Sequence, residues 1–325
     1  EAFHRRPHLG CDKGMSSAAA IAVDWGTSRM RLWVLSSDGS ILAHRRSEEG
    51  LEGARDAGFD VILERHLSTL GIAMDVPAII CGMAGSRQGW VEAPYADAPA
   101  ALDHLIAKAA KVPVISRDVR ILPGIAQRKE GAPDVMRGEE TQLIGLGAAK
   151  GRKLVCMPGT HSKWVDMDGG RVGHFTTYLT GELYALFSRQ SILRHSIGAD
   201  ATFEADNEAF AEAAAAMIEA PEDLPKRLFS IRASSLLNGT EATDSAAALS
   251  GLLIGAEIGS ARRTYGTNAM VTLVGSGFLG RLYERALATA GFRHTLADGE
   301  VLVRNGLFSA AQVWWPERFA ARKIA

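Results

Sequence analysis

Apolar positions gather twice into the same short arrangement. Residues 21–23 form a buried-type run that ends in Asp24-Trp25, a Gly26-Thr27-Ser28 corner follows, and 31–35 returns as a second run before an Asp38-Gly39 turn. The arrangement recurs as 154–157, the Pro158-Gly159-Thr160-His161 corner, Lys163-Trp164-Val165-Asp166 and an Asp168-Gly169-Gly170 turn. Each copy reads as strand, corner, strand, hairpin turn. A third strand is expected at 41–46. Helical spacing of Phe59, Ile62, Leu63, His66 and Leu67 predicts a helix over 56–70, closed by Gly71. A short strand at 76–81, a helix at 98–110, a strand at 119–122 and a helix at 139–149 complete a βββαβαβα order.

The second half starts alike, with strands at 154–157, 162–167 and 171–176 and a helix opening at Thr180-Gly181-Glu182. Residues 188–263 then lose strand character and become rich in Ala and Glu, as an all-helical insertion would be. The order resumes with a strand at 269–274, a helix at 279–290, a strand at 292–296 and a final helix from about 303. Self-similarity of this kind points to an internal duplication and constrains the fold more than any single motif. The boundaries that follow are a first domain over 15–149 and a second over 150–325. The second carries the insertion and ends in a helix packing back toward the first. Residues 1–14 read as a tag or upstream extension.

Composition narrows the function classes. The 325 residues are 47% hydrophobic and 22% charged, as in a globular protein with room for two domains. A net charge of −1 leaves no basic footprint for nucleic acid. No uncharged run is long enough to span a membrane, and 246–258 carries Glu257. Cys11, Cys81 and Cys156 are odd in number and unpaired by spacing, which suits buried thiols in a reducing, cytoplasmic setting.

A Gly-Thr corner lets backbone approach an anion closely and aims N–H and hydroxyl donors at it. Two such hairpins facing one another would grip a polyphosphate. Asp24 ends its strand one residue before the corner, where a carboxylate could hold Mg²⁺, or could simply cap the turn. Gly26, Thr27 and Ser28 would contact phosphate. The second copy has Met157 in place of Asp24 and offers Gly159, Thr160 and His161. Glu139 and Glu140, in a first helical turn, complement the helix dipole or supply a base near an acceptor hydroxyl. Gly275-Ser276-Gly277-Phe278-Leu279-Gly280 follows a strand and precedes a helix, with Asp298 further on, so it meets the spacing of a dinucleotide fingerprint. That reading, an NAD-dependent oxidoreductase, needs parallel strands beyond Asp298 for which few residues remain. The alternative is an adenosine seat at Gly275, Ser276 and Gly277.

The order and the two hairpins resemble the actin-like ATPase superfamily, with its duplicated, ribonuclease H-like α/β fold. Several segments are similar to the 2-dehydro-3-deoxygalactonokinase family: residues 24–28, 82–86 with Gly89-Trp90, 136–145, 157–165, 180–183 and 251–257. The resemblance runs from about Ala20 to about Ala311. It implies a kinase that uses ATP and Mg²⁺ to phosphorylate the 6-hydroxyl of a small sugar acid, 2-dehydro-3-deoxy-D-galactonate. Gly85, Ser86, Gln88 and Trp90 are then candidate sugar contacts, with Arg137 and Arg232 as partners for a phosphate or carboxylate. Arg87 is a weaker third. A non-catalytic nucleotide-dependent switch stays open as a further alternative, as does a homodimer.

Overall fold

The computed structural model describes residues 18–147, 151–198 and 201–320. The expected extension at 1–14, Cys11 and the last residues of the helix expected at 139–149 lie outside these. The chain divides into two compact units. One takes the described residues up to Ala126, those from Val135 to Gly147, and those from Glu300 onward. The other takes Gln127–Asp134 and the described residues from Gly151 to Gly299.

In the first unit the sheet order is Ile41–Ser47, Met30–Ser36, Ala18–Trp25, Ala78–Gly82, Val119–Ile121 and the short Ala110–Lys111. The first three strands are antiparallel neighbours, and Ala18–Trp25, Ala78–Gly82 and Val119–Ile121 run parallel. In the second unit His294–Ala297, Val271–Val274, Arg152–Met157, Ser162–Asp168 and Arg171–Tyr178 lie in the mirrored listing of the same order. Again three strands are antiparallel and the rest parallel. The same topology twice in one chain is the internal duplication expected from the sequence.

Continuous apolar runs make the central strands buried on both faces: every residue of Ala78–Gly82 is buried, as are 19–23 of the first strand. The helix expected over 56–70 is two helices, Leu51–Ala57 and Phe59–Thr69. Gly58 breaks it at φ 90°, a left-handed conformation that glycine takes at little steric cost. The helix expected over 98–110 shrinks to Leu102–Ala107, because Ala100–Ala101 are extended and Ala110–Lys111 pair with the Val119–Ile121 strand. A hairpin of Ile125–Lys129 and Ala132–Met136 was not expected. Its polar Gln127, Arg128 and Lys129 break the alternation that marks a strand.

Two helix crossings depend on glycine. In the insertion the long helix Ala242–Tyr265 meets Glu208–Glu219 along Gly251, Gly255 and Gly259. A Cβ at any of them would lie within 2.8 Å of the backbone of Phe210, Ala214 or the 217–218 pair. In the first unit the helix Glu139–Gly145 crosses the final helix Gly299–Trp314. A Cβ on Gly145 would meet the Leu302 carbonyl at 1.9 Å, and one on Gly306 the Thr141 carbonyl at 2.0 Å. Further along, the Trp314 indole donates to the Ile106 carbonyl and the Trp315 indole to Asp118.

Candidate functional site

In the first unit, strand register assembles an acidic centre. Asp24 pairs across the antiparallel hairpin with Arg31 and across the parallel ladder with Cys81. The Arg31 guanidinium grips Asp24 Oδ2 through Nε at 3.1 Å and through Nη2. Arg31 also lies 3.5 Å from Glu300, at the start of the final helix, which in turn accepts from Arg46 at 2.7 Å. Burial acts to lower the Arg31 pKa, but the charge and hydrogen bond of Asp24 leave it raised. The Gly26-Thr27-Ser28 corner follows, with Thr27 and Ser28 exposed and the Gly26 N–H donating to the Arg29 carbonyl at 2.8 Å.

The second acid arrives from the helix Glu139–Gly145. Gly138 precedes it at φ 109°, and a Cβ there would lie 3.7 Å from the Gly82 Cα. The Gly138 N–H donates to Glu140 Oε2 at 2.7 Å and the Thr141 hydroxyl to Oε1 at 3.1 Å. Glu140 is fully buried, and burial first, then the Glu139 charge, pushes its pKa up to about 8. Glu139 is half-buried and accepts the Arg137 N–H at 3.1 Å, so the adjacent acids serve different neighbours. Burial drives the Cys81 thiol well above its ordinary value, with Asp24 and Glu140 both adding to the rise. Both carboxylates therefore act on one spot at the end of the Ala78–Gly82 strand.

The expected sugar contacts differ in what they offer. Gln88 is exposed, and so is Arg87, 3.9 Å from Glu92. Trp90 is half-buried, stacked on Phe59 at 5.9 Å and at a steep angle to Trp25 at 6.4 Å. Gly85 lies against Arg137, whose Nη1 would be 2.9 Å from a Cβ there. Arg137 donates to the Ala93 carbonyl at 3.0 Å and stacks on Tyr95 at 4.3 Å. Arg232 belongs to the other unit, where it donates to Ser196 at 3.3 Å.

In the second unit the Gly159-Thr160 corner borders a cavity of about 320 Å³. The helix Thr180–Arg189 packs onto this corner: the Glu182 N–H donates to the Thr160 carbonyl at 3.0 Å. A Cβ on Gly181 would lie 2.5 Å from the Gly159 carbonyl, so the position takes only glycine. His161 pairs with Glu182 at 2.5 Å, and Lys163, buried in register with Met157, donates to the His161 carbonyl at 3.1 Å. The cavity walls are Tyr184, Phe203, Leu253, Ile254, Phe278, Leu279 and Leu282, with Ser250 among them. An apolar, aromatic cavity with a glycine corner at its rim suits a nucleoside with its phosphates outside. Gly275, Ser276 and Gly277 do not line this cavity: the Gly275 N–H is held by the Ala297 carbonyl at 3.0 Å, and the next residues, Phe278 and Leu279, form the wall.

The family model for 2-keto-3-deoxy-galactonokinase matches residues 24–310. The chain belongs to the 2-keto-3-deoxy-galactonokinase family. It is 50% identical to "Probable 2-dehydro-3-deoxygalactonokinase DgoK1" of Rhizobium meliloti (strain 1021) over 91% of this chain and 97% of the relative. It is 34% identical to the 2-dehydro-3-deoxygalactonokinase of Escherichia coli (strain K12) over 91% and 98%. A crystal structure from Sinorhizobium meliloti, described under the same activity, superposes with a TM-score of 0.89 at 49% identity. It covers 91% of this chain and 99% of that one. The family does not support the NAD-dependent reading of Gly275–Gly280.

Two features of this family member were missed from its sequence. Arg31 as the partner of Asp24 was legible in principle, since a short hairpin places it opposite. Glu257 was not. Its buried carboxylate accepts from Ser162 (2.6 Å) and Trp164 (2.8 Å) on one oxygen, and from Thr180 (2.5 Å) and Tyr283 (2.6 Å) on the other. Burial raises its pKa, against the pull of these four donors. It pins three elements behind the corner and the cavity to one point. Among the described residues no three acidic, His or Cys side chains converge as a metal cage. One hard carboxylate, Asp24, fits Mg²⁺, which usually takes one or two protein carboxylates, phosphate oxygens and waters. No helix among the described residues is long and apolar enough to cross a membrane.

Proposed function

We propose that the protein is an ATP-dependent kinase that phosphorylates the 6-hydroxyl of 2-dehydro-3-deoxy-D-galactonate. The observation that carries this reading is the twofold strand–corner–strand unit, one copy bearing Asp24 and the other bordering a nucleoside-sized cavity, in a chain of this family. In the reaction the 6-hydroxyl oxygen bonds to the γ-phosphorus, the bond from that phosphorus to the β–γ bridging oxygen breaks, and ADP leaves. Mg²⁺ would supply charge neutralisation at the phosphates and would be held by Asp24, which Arg31 orients. Glu140 takes the hydroxyl proton, its pKa of about 8 being close to a working pH. Thr27 and Ser28 offer phosphate donors in the first unit, Gly159 and Thr160 offer them in the second, and the apolar cavity suits the adenosine. Positioning and electrostatics suffice for this chemistry, so no covalent nucleophile is required.

The test is a coupled assay of ATP consumption with a panel of 2-keto-3-deoxy sugar acids. ADP formation that depends on the galactonate-derived acid, with phosphate found on its C6 oxygen, supports the reading. Absence of turnover with every acid of the panel overturns it.

A further inference from the structure

An acid substrate needs a cationic partner, and three arginines are placed for it by sequence. Arg87 is exposed beside Glu92, and the Arg232 side chain already donates to Ser196. Arg137 is different. Its Nη2 donates to the Ala93 carbonyl and its plane rests on Tyr95, which fix the guanidinium in place. Its Nε and Nη1 are nevertheless buried with no acceptor in the protein. The hydroxyl of Ser86 is buried and unpaired as well. Gly85, which precedes Ser86 in the chain, lies so close to Arg137 Nη1 that a Cβ would come within 2.9 Å. Donors buried without acceptors cost on the order of 1–3 kcal/mol each, more when charged, so a cluster of them in one place marks a site built for an anion.

We infer that Arg137, together with Ser86, binds the carboxylate of the sugar acid and so selects acids over neutral sugars. The inference rests on the sugar-acid kinase reading above. With Nη2 spent on Ala93, the free Nε–H and Nη1–H point in different directions, so each offers a carboxylate oxygen a single charge-assisted hydrogen bond. The Ser86 hydroxyl adds a third donor, and glycine at position 85 leaves room for the arginine.

The experiment uses the full chain with Arg137→Met, Arg137→Lys and Ser86→Ala, assayed with the sugar acid and with its neutral methyl ester. Loss of a charge-assisted pair costs roughly ten- to a hundredfold in affinity. Arg137→Met should raise KM for the acid by about that factor and leave KM for ATP and thermal stabilisation by ATP unchanged. Its preference for acid over ester should collapse. Arg137→Lys should recover part of the loss, and Ser86→Ala should raise KM for the acid by roughly fivefold. An unchanged KM for the acid in Arg137→Met overturns the inference, and so does an equal loss for acid and ester. Should Arg137→Met fail to fold, the acid-to-ester preference of Arg137→Lys and Ser86→Ala decides, and a preference equal to wild type overturns it. Failure of the wild-type chain to phosphorylate any acid would instead strike the kinase reading itself.

Discussion

Asp24 does not stand free at the end of its strand; Arg31 holds one carboxylate oxygen from the neighbouring strand. The arrangement aims the acid through Oδ2, and Oδ1, which takes only a long 3.7 Å contact from the Cys81 thiol, is the oxygen a cation would share. Asp24→Asn keeps the size and removes the charge, so turnover should fall about a hundredfold or more, roughly 3 kcal/mol of transition-state stabilisation. Steady-state kinetics at saturating Mg²⁺ measure it, and most of the activity surviving would exclude Asp24 from the mechanism. Glu140 predicts a pH profile. A base with a pKa of about 8 must lose its proton to act, so turnover should climb with pH and level off above that value. Stability should run the other way. The folded pKa is raised above the ordinary 4.5, so the folded state holds the proton more tightly than the unfolded chain. Glu140 therefore costs nothing at low pH, and its burden grows as pH rises from about 4.5 through about 8. In Glu140→Gln both trends should flatten, whereas Glu139→Gln should keep both and move them to lower pH, because the Glu139 charge helps to raise the Glu140 pKa. Equal profiles for the two variants would refute the assignment.

At the scale of elements, the repeated hairpins and the βββαβαβα order were legible because apolar runs and Gly-Thr corners state them directly. What stayed hidden depends on which elements pack together. Gly145 and Gly306 read as ordinary helix-weakening glycines until the crossing of their helices gives each a carbonyl to meet. Glu257 looks like an interruption in an apolar helix until four donors from other elements converge on it. Arg137 could be singled out as an anion contact, but its unpaired donors appear only when Ala93, Gly85 and Tyr95 are in place. Gly306→Ala should force the helix bearing Glu140 aside. Overpacking of this kind costs on the order of 1–3 kcal/mol, and turnover should fall further than stability does. Melting and kinetics on the same sample test this, and a variant with wild-type values in both would show that the crossing yields freely. Glu257→Ala leaves four buried donors without an acceptor and should cost about 3 kcal/mol or more. Chemical denaturation measures that loss, with the second unit the one affected.

Among the described residues, each unit has apolar clusters of its own. Calorimetry should therefore resolve more than one transition, with ATP raising the one that belongs to the second unit and sugar acid the other. A single transition raised equally by either ligand would contradict this. The first unit also draws on distant stretches of chain, since the segment from Glu300 onward belongs to it. A protein truncated after Gly299 should lose the sugar-acid-dependent transition and keep the ATP-dependent one. Synthesis adds a consequence of its own. When a ribosome has made residue 126, the first unit still lacks the helix that covers 139–145, and the tryptophans that reach Ile106 and Asp118 are not yet made. At roughly 5–20 residues per second, the intervening stretch occupies on the order of 10–35 s. For that interval the nascent chain carries an unfinished half with apolar surface uncovered, while its second half can already close, so the half translated first is the last to mature.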